Sequence, residues 1–173
     1  MDLTNMSKNN KLDLAGNRNT PGDVLGELVK NNNDETLRFF VARNPNSSRE
    51  LVITLLETMP FMDKRELAED TSSTSDLLRI LALDADDIVL FNLSYNPSTP
   101  VDVLRALAKD EHWGVRCNVA EHPKASSKIL VMLFEYEKSL SEPDDDVIRA
   151  LYTHKNLPAF AKRVIETLFG EML

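Results

Sequence analysis

Apolar residues recur along this chain at one long, fixed interval. Leu55, Leu81, Leu107 and Leu133 stand at one phase, Val52, Leu78, Leu104 and Leu130 at a second, and Leu51, Leu77, Val103 and Ile129 at a third. A fourth phase carries Val41, Leu67, Leu93 and Val119, each followed by a small residue, Ala42, Ala68, Ser94 or Ala120. The period, the step from Leu55 to Leu81, is 26. Polar punctuation keeps the same beat: Pro97 follows Pro45 by two periods and Pro123 follows Pro97 by one, and Asp70-Thr71-Ser72-Ser73-Thr74 supplies a proline-free copy between the first two. A period of this size marks supersecondary units that bury their apolar faces on one another.

Each copy reads as two short helices. Thr99-Pro100 predicts a helix start, with Thr as N-cap and Pro at the first helical position, and Thr20-Pro21 is the same pair. Ser48, Ser75 and Ser127 lie near the corresponding starts. From there Val103, Leu104, Leu107 and Ala108 form a stripe of helical period, which Asp110 and Glu111 interrupt. A second, shorter stripe follows in Val115, Val119 and Ala120. It stops at an Asn-Pro or His-Pro pair, because the residue before proline avoids the α conformation. No useful period-2 alternation appears, so strands are not expected. Helices shorter than about 12 to 15 residues are marginal alone in water, so stability has to come from stacking.

The pattern extends imperfectly at both ends. Upstream, Leu14-Ala15-Gly16-Asn17, Thr20-Pro21, Leu25 and Leu28 repeat the same features at a distance of 27 from the next copy. Downstream, Ile148-Arg149 matches Val115-Arg116 at a distance of 33, implying an insertion around residues 135–146. Phe160, Val164, Ile165, Leu168 and Phe169 read as the apolar stripe of a closing helix over 158–171. The expected architecture is an all-α, right-handed α-solenoid of about five to six helical hairpins. It forms a single domain over 13–173, with a frayed start over 1–12.

The string Asn96-Pro97-Ser98-Thr99-Pro100, with Leu104, Leu107-Ala108, Asp110, Val115-Arg116 and Val119-Ala120, resembles the leucine-rich repeat variant motif, a relative of the HEAT and armadillo helical repeats. The likeness spans residues 14 to 135. It implies an α or α/3₁₀ solenoid that presents a surface to a partner. Some members of that family carry a cysteine-ligated iron–sulfur module; Cys117 is the chain's one cysteine, so that cofactor is excluded and none is expected. HEAT-like repeats also include DNA-binding glycosylases with basic concave faces.

Composition changes the picture mainly through charge. The chain has 20 Lys plus Arg against 28 Asp plus Glu, a formal charge of −8, which repels phosphate backbones and favours a basic or neutral partner. One cysteine admits no intramolecular disulfide and points to a reducing compartment. Met1 to Asn19 lacks the apolar core of a signal peptide, and no apolar run reaches about 18 residues. A cytoplasmic protein without a membrane segment is expected.

Five residues stand out as candidates for binding. Arg38, Lys64, Arg116 and Arg149 share one phase of the second helix, interrupted by Leu90, and on a solenoid would line up as a basic column able to grip carboxylates or phosphates. The alternative is that Arg116 braces the turn at Asp110 and its neighbouring carbonyls. Trp113, the single tryptophan, is either an interface anchor or the cover on the edge of an adjacent unit. His112, Cys117 and His122 invite a metal or Cys–His reading, but His122 fills the slot of Asn44, Asp70 and Asn96 and reads as a turn or capping residue. No metal or catalytic role is assigned. The stretch from Glu135 to Asp146 holds six acidic residues and one Lys, as an acidic contact for a basic partner or as a solvated loop capping the next helix.

No Gly-rich phosphate loop, ordered Ser/His/Asp set or HExxH pair occurs, so an enzyme is not expected. The leading expectation is a non-catalytic scaffold that binds another protein through a solenoid face. A nucleic-acid-binding HEAT-like protein using the basic column is the alternative, and a self-associating structural module a weaker one.

Overall fold

A computed structural model describes residues 3, 5–83 and 86–173. All regular structure among them is helical, and no strand is present. Contacts divide the chain into two compact units, Met1–Leu83 and Asp84–Leu173.

The first unit holds α1 (Lys8–Gly16), α2 (Gly22–Val29), α3 (Glu35–Arg43), α4 (Arg49–Glu57), α5 (Phe61–Glu69) and α6 (Ser75–Leu81). Order in α1 starts at Lys8, within the stretch expected to be frayed, because Ser7 accepts the free N–H of Asn10. The second unit holds α7 (Asp87–Tyr95), α8 (Val101–Leu107), α9 (Trp113–Glu121), α10 (Ser127–Ser139), α11 (Asp145–Thr153) and α12 (Ala159–Phe169), followed by a 3₁₀ turn at Gly170–Met172. Helix α3 packs on α1, α2 and α4; α9 packs on α7, α8, α10 and α11.

The apolar columns form the cores of the two units. Leu25, Val41, Leu55, Leu67, Leu78 and Leu81 are buried in the first, and Leu93, Leu104, Leu107, Val119, Leu130 and Leu133 in the second. Leu51 departs from its column and is only half-buried. The closing helix departs further. Of its five named apolar residues only Ile165 is buried, while Phe160 and Leu168 are each 55% exposed. Helix α12 packs on α11 and the 3₁₀ turn, so much of its stripe has no element to cover it.

The same turn construction follows α1, α3, α5, α7, α9 and α11. The side chain just after the helix accepts the backbone N–H two residues on: Asn17 from Asn19, Asn44 from Asn46, Asp70 from Ser72, Asn96 from Ser98, His122 from Lys124 and His154 from Asn156. This is Asx-turn geometry, and histidine reproduces it with Nδ1 as acceptor. Pro97 has no N–H for the Leu93 carbonyl four residues back, and the Thr99 hydroxyl supplies the missing donor at 2.7 Å. Thr20, Ser47 and Ser73 donate in the same way to Leu14, Val41 and Leu67.

This corrects the expected helix starts. Thr99 and Thr20 serve the helix before them, and Pro100 and Pro21 occupy the N-cap positions of α8 and α2. Where a hydroxyl stands at that position it does cap: Ser48 accepts from Leu51, Thr74 from Leu77 and Ser126 from Ile129. Ser75 and Ser127, expected near these starts, each lie just past the capping residue.

Candidate functional site

Within each unit, turns also reach back to the turn before them. In the first unit the Asn44 amide donates to the carbonyls of Ala15 and Asn17, at 2.8 and 2.9 Å, and Asn46 donates to those of Arg18 and Thr20. Asp70 has no amide to donate; instead it accepts from Arg43 at 2.5 Å, and Arg43 also reaches Ser72. In the second unit His122 places Nε2 3.0 Å from the Asn96 carbonyl, Lys124 reaches the Thr99 carbonyl, and Asn156 donates to the Ala125 carbonyl. The His154 ring bonds the His122 backbone.

These bonds fix His122 as the neutral Nε2–H tautomer, since Nδ1 accepts from Lys124 while Nε2 faces a carbonyl. Burial holds its pKa below the ordinary histidine value; the Asn96 hydrogen bond opposes that shift and Lys124 adds to it. Both ring nitrogens are therefore occupied, and His122 is a turn residue. Cys117 is half-buried, with its pKa pushed up to about 11 first by burial and then by the carboxylates of Glu121, Asp146, Asp144 and Glu137. A thiol held protonated in this way is a poor nucleophile.

In the second unit, the two members of the basic column are held by the chain's own groups. Arg116 is 4% exposed. Its Nε donates to Glu137, and its Nη1 donates to the carbonyls of Asp110 and Glu111 at 2.9 and 2.8 Å, which is the bracing role and removes it from a partner-facing one. Arg149, on α11, holds Asp146 at 3.2 Å and Asp145 at 3.6 Å and donates to the Met172 carbonyl. In the first unit Arg38 donates to Thr58 and Asn33, and Lys64 is half-buried on α5.

Glu137 belongs by sequence to the solvated acids of the insertion; in the structure it is fully buried. Its Oε2 accepts from the Asp144 backbone, so one carboxylate joins α9, α10 and the start of α11. No helical period singles it out, because its value lies in Arg116, on the preceding helix and far back along the chain. The rest of the acidic stretch follows the capping reading: Asp144 accepts from the N–H groups of Asp146 and Val147.

Trp113 opens α9 and is 47% exposed. Its ring stacks on His112 with centroids 6.0 Å apart, and His112 meets Phe91 of α7 edge-on at 6.5 Å. A Cβ added at Gly114 would lie 3.0 Å from His112 Cε1 and 3.2 Å from Phe91 Cε2, so glycine permits this close approach. Ile88, Phe91 and Tyr95 are exposed along one side of α7, at i, i+3 and i+7. The result is an uncovered aromatic and aliphatic strip across two packed helices. The sequence singled out Trp113 but missed Ile88, Phe91 and Tyr95, whose spacing merges with that of the buried Val89 and Leu93 on the same helix.

Compared with known proteins, the chain matches no family model, no curated protein and no solved structure. No helix among the described residues is long and apolar enough to cross a membrane.

Proposed function

We propose that the chain is a non-catalytic, cytoplasmic scaffold that binds another protein through the exposed strip on α7 and α9. The carrying observation is that Ile88, Phe91, Tyr95 and Trp113 stand 41 to 70% exposed on adjacent helices, although leucines on the same framework are fully buried. Contiguous exposed apolar surface of this kind marks an interaction site, and aromatic side chains dominate interface energetics.

The architecture we infer is a right-handed solenoid of hairpins related to the leucine-rich repeat variants. N-caps at Ser48, Thr74, Pro100 and Ser126, each one sequence period after the last, support it, as do turns of one construction whose side chains hold the turn before. In such an array the inward columns are fixed by packing, and the outer positions are free to specify a partner.

The test is affinity capture from a native lysate by the wild-type chain and by a Phe91→Ala/Trp113→Ala variant. The reading expects a protein retained by the wild type and lost by the variant, with little change in thermal melting. An identical set of captured proteins from both would contradict it.

A further inference from the structure

We propose that the outer face of α7, α9 and α11 docks an arginine-bearing basic segment of a partner protein. This rests on the scaffold reading and names the partner's chemistry. The face has two halves that meet at α9, which packs on both α7 and α11. One half is aromatic, made by Phe91, Tyr95 and Trp113. The other is acidic: Glu121 is exposed at the end of α9, and Asp145 and Asp146 are exposed at the start of α11. Glu137 accepts from Arg116 of α9 and from the backbone of Asp144, so the acidic start of α11 is held against α9.

The helices of the face supply little positive charge of their own. These three helices carry only Arg116 and Arg149. Arg116 is enclosed with Glu137, and Arg149 is shared between Asp145 and Asp146. Negative charge therefore remains beside exposed rings.

A guanidinium suits both halves at once. It is planar and weakly hydrated, so it lies on an indole or phenyl face, and its fork of donors pairs with carboxylates. An ammonium offers a compact, strongly hydrated charge and stacks less well. A polyphosphate backbone is repelled. A second copy docking by the same face would bring its own carboxylates against these, since a two-fold contact pairs a patch with itself.

The experiment titrates the intact chain with an arginine-rich nonapeptide, following Trp113 emission, and repeats this with lysine, glutamate and uncharged apolar counterparts. A fluorescently labelled arginine peptide serves the variants by anisotropy. The expected result is saturable binding of the arginine peptide, weaker binding of the lysine one and none of the glutamate one. Glu121→Lys/Asp146→Lys and, separately, Trp113→Ala should each weaken the arginine peptide by about tenfold or more, the scale of losing a desolvated charge pair or an aromatic anchor. Glu121→Gln is the milder variant if the charge reversal unfolds the chain.

Equal binding of the arginine and glutamate peptides, indifference to charge reversal, or sedimentation showing self-association through Trp113 would overturn the proposal. If lysate capture depends on Trp113 while no arginine peptide binds, this inference falls and the scaffold reading stands. If neither depends on Trp113, both fall.

Discussion

Arg116 and Glu137 bind one another inside the second unit, with side chains 5% and 0% exposed. A buried ion pair adds little over a well-packed apolar pair, but a single buried charge left without its partner is costly. Glu137→Ala should therefore destabilise the second unit by about 3 to 5 kcal/mol in chemical denaturation. An Arg116→Met/Glu137→Leu pair should recover most of that loss. If Glu137→Ala unfolds at the wild-type denaturant concentration, the pair is not a brace.

The turn histidines make stability depend on pH. His122 and His154 both titrate below their ordinary value, in each case chiefly because burial disfavours the charged ring. The unfolded chain then takes up protons first as pH falls, so the stabilisation is present above about pH 6.5, the unfolded value, and is lost as pH drops through the folded values. Protonation of His122 also removes the Nδ1 lone pair that accepts from Lys124. Melting temperature should fall as pH drops below about 6.5. It should fall less in His122→Asn, because asparagine keeps an acceptor and a donor without titrating, as Asn44 does. A variant curve parallel to wild type would mean that His122 does not titrate below its ordinary value.

Thr99→Val tests the hydroxyl that completes α7. The substitution keeps the side chain's shape but leaves the Leu93 carbonyl without the donor that Pro97 cannot provide. A buried acceptor left unmatched costs about 1 to 3 kcal/mol, read as a lower midpoint in urea. No shift would mean that the carbonyl finds another partner.

Leu107→Ala tests the packed column. Leu107 is 5% exposed, so truncation should cost about 2 to 5 kcal/mol from lost burial plus the cavity left behind. A wild-type melting curve would remove this leucine from the core.

The apolar framework was legible in the sequence because burial leaves a periodic trace: Leu78, Leu104 and Leu130 sit at one phase and all are fully buried. His122 was legible as a turn residue from its slot alone. Thr99 was misassigned by one helix, since Thr-Pro states a strong local preference for capping forward while the bond it makes runs back to Leu93. Glu137 was misread because a short-range acidic pattern hid its long-range partner. The strip of Phe91 and Tyr95 was missed for a related reason. Periodicity separates apolar from polar positions, but whether an apolar position is covered depends on what else the chain brings there.

Hydrogen exchange on the chain alone and with the bound arginine peptide, or with the captured protein, tests most directly whether the outer strip is the working surface. The account predicts added protection confined to α7 and α9, with α11 following when the ligand is basic, while the amides of the buried turns stay as they were. Protection appearing instead around α3 and α5, or no change in any segment of a complex known to have formed, would contradict it.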